Sequence, residues 1–247
     1  MIGGQRCGTT TIFQTLAEHP QIRRPIAEKG TDYFTLNYLR GVEWYRSRMP
    51  LAVGSTDGRL TFEACTYYMF HPLAIDRIAR DLPNIKLVAM LRDPVSRAFS
   101  AYKHEFARGF ESESNFRTAL ALEPSRLEGE VERMCEDPAY QSFSHRHHAY
   151  LSRGQFADQL DRVYEHFPRE QVHVMQSELF FADPLGEFAR LTEFLGLEPW
   201  MPKQVEQHNA RPSSAMPDDA RNFLVQHYRP HNEALAELLG SAPAWLD

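Results

Sequence analysis

Hydrophobic residues along this chain fall into runs of helical spacing separated by short extended ones. Thr10 to His19 carries Ile12, Phe13, Leu16 and Ala17 on one stripe and stops at Pro20, which predicts a helix. Residues 25–50 are aromatic and irregular, with Tyr33, Phe34, Tyr38, Trp44 and Tyr45 close together. Pro72 to Leu82 places Leu73, Ile75, Ile78 and Ala79 on a second helical stripe. Ile85 to Leu91 is apolar without alternation, the pattern of a strand covered on both faces. Arg92-Asp93-Pro94 ends it, and Pro94 suits the first turn of a helix reaching Arg108. Residues 110–148 are charged and aperiodic, the mark of an irregular, partly mobile excursion over the mouth of a site. A helix from Gln155 to His166, a strand from Gln171 to Met175 and a helix from Pro184 to Leu195, closed by Gly196, follow. After a loop holding Pro199, Pro202, Pro212 and Pro217, a last helix runs from about Asp218 to Leu239. Strands alternating with helices imply a parallel sheet with right-handed crossovers.

The chemistry begins at Gly3-Gly4-Gln5-Arg6-Cys7-Gly8-Thr9-Thr10-Thr11, directly before the first helical stripe. Glycines, then hydroxyl residues, then a helix describe a loop that turns backbone N–H groups and a helix dipole toward an anion. Gly3 to Gly8 matches the start of the triphosphate loop G-x-x-x-x-G-K-[ST], but Thr9 stands where its Lys belongs and the cation is Arg6. The expected fold is therefore α/β and P-loop-like, with three layers and a central, mainly parallel sheet flanked by helices. One domain over 1–247 is expected. Only Met1 and Ile2 precede the loop, so its leading strand is expected to be truncated.

Composition narrows the partners. Lys and Arg number 27 against 33 Asp and Glu, a net charge of −6, which weighs against nucleic acid. No apolar run approaches the about 20 residues of a membrane span. Cys7, Cys65 and Cys135 are scattered and odd in number. With no leader before the loop, a reducing, cytoplasmic location is expected.

A second anchor is Arg92, at the carboxyl end of the 85–91 strand, where open α/β sheets bind ligands. Ser100 follows two helical turns later, and an arginine fork with a hydroxyl can hold a second phosphate. A nucleotide phosphorylated at both ends of its ribose would span the two sites.

These residues resemble a known family. Gln5-Arg6-Cys7-Gly8-Thr9-Thr10 resembles the 5′-phosphosulfate loop of sulfotransferases that use 3′-phosphoadenosine 5′-phosphosulfate (PAPS), and Leu91 to Tyr102 is similar to their 3′-phosphate element. Glu63-Ala64 before Tyr67–Pro72, Tyr150-Leu151-Ser152-Arg153-Gly154 and Arg221…Tyr228-Arg229-Pro230-His231-Asn232 extend the resemblance over nearly the whole chain. It is nearest to bacterial relatives of the heparan sulfate sulfotransferases. The resemblance implies PAPS as co-substrate, a carbohydrate or small-metabolite hydroxyl as acceptor, and no metal. Arg6, Cys7, Gly8, Thr9, Thr10, Thr11, Arg92 and Ser100 would bind the nucleotide, with Arg211 closing over its 3′-phosphate. Arg6 stands where the family often has Lys and would act electrostatically. Lys29 matches the family's Lys-Glu-x-His-Phe-Phe motif, but Gly30 occupies the position of its base. Glu28 is the nearest substitute, ahead of Glu63 and Asp32.

Other readings stand beside these. Asp93 resembles the Mg²⁺-holding Asp of a kinase or NTPase, although capping the next helix is its commoner role. A nucleotide-binding module without turnover is the non-enzymatic alternative. Cys7 could be a redox switch or simply a small neighbour of the phosphate. His145-Arg146-His147-His148 invites a metal, yet fits a solvated loop better. The acidic run 123–137 fits a solvated face, and the aromatic cluster at 33–45 fits core or an acceptor wall.

Overall fold

The computed structural model of the protein describes residues 1–24, 29–50, 58–202 and 215–246. Its first half runs β1 (Ile2–Gly3), α1 (Thr9–Leu16), β2 (Ile22–Arg23), α2 (Val42–Arg46), β3 (Leu60–Thr61), α3 (Ala74–Asp81), β4 (Leu87–Leu91) and α4 (Pro94–Ala107). The second half adds α5 (Phe116–Leu127), α6 (Glu130–Glu136), α7 (Phe143–His147), α8 (Phe156–His166), β5 (Val172–Gln176), α9 (Ser177–Ala182), α10 (Pro184–Leu195) and α11 (Asp218–Leu239).

The unalternating apolar run becomes β4, buried at every position. It lies in the middle of a parallel sheet of order β1–β4–β5. Ile2 lies opposite Ala89, and Leu87 to Leu91 lie opposite Val172 to Gln176. Because all three strands point the same way, the loop before α1, the turn into α4 and the start of α9 leave one edge of the sheet. Helices flank it, so the α/β architecture with a parallel sheet is present. No helix among the described residues is long and apolar enough to cross a membrane.

Local chemistry sets the helix starts. Asp93 caps α4, its Oδ1 accepting from Val95 N and its Oδ2 from Ser96 N, each at 3.1 Å, with Pro94 in the first turn. Asp183 and Pro184 repeat the device on α10. The small parallel pair β2–β3, with Ile22 opposite Leu60, has no counterpart in the sequence reading, because two-residue strands carry no periodic signal.

Three expectations need correction. Residues 110–148 are not irregular chain: they hold α5, α6 and α7. Phe116, Ala119 and Leu120 of α5 pack with Ala98 and Tyr102 of α4 and with Leu224 and Tyr228 of α11 in a second core. The acidic run is not wholly solvated either, because Glu123 is 3% exposed. Its carboxylate accepts from the N–H groups of Leu151 and Ser152 and from the Ser152 hydroxyl, replacing lost water. Nor are the 145–148 histidines solvated. His145 is buried, Nδ1 2.8 Å from the Tyr67 hydroxyl, its ring stacked on Phe70. The 33–45 cluster is core: Tyr33 stacks on Tyr45 at 4.8 Å and packs edge-on to Phe34.

Removing the Glu123 carboxylate strands two buried amides. Glu123→Ala is expected to lower stability by about 2 kcal/mol, whereas Glu128→Ala and Glu132→Ala, both on the exposed part of the same run, shift it by less than about 0.5 kcal/mol, as read by urea denaturation.

Candidate active site

A cleft of about 1340 Å³ opens at the edge where the strands end. Its floor is the loop between β1 and α1, which three hydrogen bonds fix to the strand ends. Gly4 N–H donates to Met90 O at 2.9 Å, Arg92 Nη1 to Arg6 O at 3.0 Å, and Ser177 Oγ to Cys7 O at 2.7 Å. Arg6 and Gly8 take φ of 71° and 83°, the left-handed region in which a glycine is at ease and an arginine is strained. Gly8 starts α1 without a side-chain cap, at the end of the helix where the dipole favours an anion.

Two groups of cations stand along the cleft. At the helix opening, Lys29 Nζ donates to Thr9 Oγ1 at 2.9 Å and to Thr10 Oγ1 at 3.0 Å. Burial pushes the Lys29 ammonium down to about 8, against a smaller opposing pull from Cys65. At α4, Arg6 Nε donates to Ser100 Oγ at 3.0 Å, and Arg92 and Lys103 line the same stretch. Burial lowers Lys103, and so do Arg6 and Arg92 beside it. Taken together, Arg6, Lys29, Arg92, Lys103, Arg108, Arg146, Arg153 and Arg221 line the cleft against Asp32, Glu105 and Glu178.

The geometry redistributes the roles expected from sequence. The Arg6 side chain lies toward Ser100, and Lys29 is the cation on the Thr9-Thr10 pair. The side chains of Cys7 and Thr11 do not line the cleft, although Gly8, Thr9 and Thr10 do. The Cys7 thiol is fully buried and pushed by that burial up to about 12, opposite to what a redox-reactive thiol needs. Glu28 and Arg211 lie outside the described residues.

Gly30 lines the cleft, and a Cβ on it would sit 2.6 Å from the carbonyl oxygen of Ala64, so this backbone excludes any side chain there. Of the substitutes, Glu63 is buried beneath, engaged by the amide and hydroxyl of Thr31 and by Tyr68. Asp32 lines the cleft, with Cys65 Sγ and Arg146 Nη2 each 3.0 Å from one of its oxygens. Asp93 has both oxygens committed to the α4 cap, which leaves the Mg²⁺-holding reading without its ligand.

The profile of the Sulfotransferase domain matches residues 1–216. The chain belongs to that family. It is 28% identical over 271 residues to the human heparan sulfate glucosamine 3-O-sulfotransferase 6, covering 99% of this chain and 72% of that protein. It is 26% identical over 291 residues to a bifunctional heparan sulfate N-deacetylase/N-sulfotransferase of Drosophila melanogaster. All of this chain matches there, but it spans only 26% of that relative's length. Among solved structures, a sulfotransferase from Alicyclobacillus acidocaldarius superposes with a TM-score of 0.77 at 28% identity, over 98% of this chain and 94% of the other. The sulfotransferase fold of this chain thus rests on sequence and geometry together.

Sequence reasoning missed three cleft residues. Lys103 could have been found, since it follows Ser100 by one helical turn on the same face of α4. Arg153 lay within the Tyr150–Gly154 stretch that resembles the family and His147 within the 145–148 cluster read as solvated, but only tertiary packing brings them to the cleft.

An anion on the loop favours the charged lysine, so it should raise Lys29. Lys29 labelled by ¹³C-methylation is expected to titrate near 8 in the free protein and higher with 3′,5′-phosphoadenosine bound, as followed by NMR. In the native protein a thiol reagent should modify Cys135, which is exposed, and spare buried Cys7 and Cys65 until unfolding.

Proposed function

We propose that this protein transfers a sulfuryl group, in line and without a metal, from PAPS to a hydroxyl of a carbohydrate or small metabolite. The observation that carries this reading is the pair of separate cation groups on one cleft, Lys29 with Thr9-Thr10 and Arg6 with Arg92, Ser100 and Lys103. Two cation groups on one cleft suit a nucleotide with anionic groups on both its 5′ and 3′ oxygens. Lys29 and the α1 amides would neutralise charge growing on the departing 5′-phosphate, while the α4 group holds the 3′-phosphate. Arg211 would close over that phosphate.

The acceptor end supports a negatively charged sugar. Arg153 is 4% exposed, stacked against Tyr67 and Phe70 with its guanidinium carbon 4.9 and 5.1 Å from their ring centres. Its buried Nε has no hydrogen-bond partner among the described residues, and burial lowers the group to about 10. A desolvated cation of this kind is stabilised by an arriving carboxylate or sulfate. Free thiols at Cys7, Cys65 and Cys135 suit a reducing compartment such as cytoplasm.

Calorimetry separates the readings. With EDTA present, 3′,5′-phosphoadenosine is expected to bind tightly, and Arg92→Ala to weaken it about 10–100-fold, the loss of one charge-assisted contact. Wild-type protein is then expected to move ³⁵S from labelled PAPS to heparan sulfate oligosaccharides, with EDTA leaving the rate unchanged. Mg²⁺-dependent ATP binding in place of 3′,5′-phosphoadenosine binding would overturn the reading, and binding without transfer would reduce the protein to a nucleotide-binding module.

A further inference from the structure

Sulfuryl transfer to a hydroxyl needs a group to take its proton, and Gly30 has no side chain to do so. Asp32 has one oxygen engaged by a thiol and the other by Arg146, so both are already committed within the protein. His147, at the end of α7, is placed differently. It lines the cleft, and its Nδ1 lies 2.8 Å from Oε2 of Glu105 on α4.

Glu105 is 1% exposed. Burial alone would raise its carboxyl, but the hydrogen bonds from His147 and Gln5 outweigh that and hold it below the usual range, as a carboxylate. A carboxylate only accepts hydrogen bonds, so Nδ1 of His147 carries a hydrogen, and in the neutral ring Nε2 then presents its lone pair. Nε2 has no hydrogen-bond partner shown among the described residues. The rings of Phe110 and Phe143 flank the imidazole, with centroids 4.3 and 4.7 Å away, and limit its rotation. The other oxygen of Glu105 accepts from Gln5 Nε2 at 2.6 Å. Gln5 belongs to the loop that opens α1, so two hydrogen bonds link the imidazole to the wall facing the donor.

We propose that His147 is the general base for the acceptor hydroxyl, with Glu105 as its positioning residue. This rests on the sulfuryl-transfer reading. The acceptor oxygen forms a bond to sulfur as Nε2 takes its proton. The bond from sulfur to the 5′-phosphate oxygen breaks, and its electron pair stays on the departing 3′,5′-phosphoadenosine. Glu105 balances the imidazolium, which then returns its proton to water. The base has moved from the loop after Lys29, where Ala64 leaves no room for it, to the end of α7, which also lines the cleft.

The test uses ³⁵S-labelled PAPS with heparan sulfate oligosaccharides as the probe acceptor. His147→Gln is expected to lower kcat about 10²–10⁴-fold while the affinity for 3′,5′-phosphoadenosine stays within about twofold. His147→Asn, which keeps a donor for Glu105, should lose as much, so a folding defect in one variant does not decide the matter. Added imidazole should restore part of the rate of His147→Ala and none to His147→Gln, a rescue that a purely structural histidine would not show. Glu105→Gln should lower kcat about tenfold with KM little changed, and Glu105→Asp should recover part of it. Histidine variants that keep kcat within about threefold of wild type, or a loss confined to Asp32→Asn, would overturn the proposal. A wild-type protein that binds the nucleotide but transfers nothing fails at the earlier reading, and the base then has no step to serve.

Discussion

The carbonyls of Arg6 and Cys7 are tied back to the sheet, one by Arg92 from the end of β4 and the other by Ser177 from the start of α9. With these two oxygens held and Gly4 N–H bonded to Met90, the loop cannot relax around its own backbone. Its strained residue, Arg6 at φ 71°, is kept in place by the same contacts. The consequence is a helix opening whose amides have no side-chain cap and whose orientation is set by three strands at once. Both cation groups inherit their position from this clamp, because Arg6 joins the loop to Ser100 and Lys29 joins it to Thr9 and Thr10.

The electrostatic consequence runs against the overall charge. A chain of net charge −6 collects an excess of lysine and arginine in one cleft. Burial holds Lys29 and Lys103 below their ordinary values, and at Lys103 the neighbouring Arg6 and Arg92 add to the effect. An anionic ligand compensates such desolvated cations, which favours its binding. The buried Arg153, on the same cleft, is a further desolvated cation.

Much of this was legible in the sequence because it is local. The glycine and threonine pattern before an apolar stripe, the unalternating run of β4 and the Asp93-Pro94 start of α4 each lie within a few residues, and so does the two-turn spacing from Arg92 to Ser100. Residues 110–148 were not legible, because α6 and α7 are short and α5, which contains Pro124, is held by contacts with distant partners. Phe116 and Leu120 pack on α4 and α11, and Glu123 is satisfied by amides of residues 151 and 152. A charged residue there reads as solvated until its partners are known.

The sequence by itself determined the class of fold, the glycine- and threonine-rich loop that opens α1 and the Arg92–Ser100 spacing, since backbone conformation and helical spacing are written in neighbouring residues. It also recorded the missing side chain at Gly30. The tertiary structure decided which way each of these groups faces. It sent Arg6 to Ser100 and Lys29 to the threonines, and it buried Cys7 beneath the loop. It closed position 30 with the carbonyl of Ala64, and it set His147 against Glu105 across 42 positions of chain. Orientation of that kind depends on packing between segments far apart in sequence, and no local pattern encodes it.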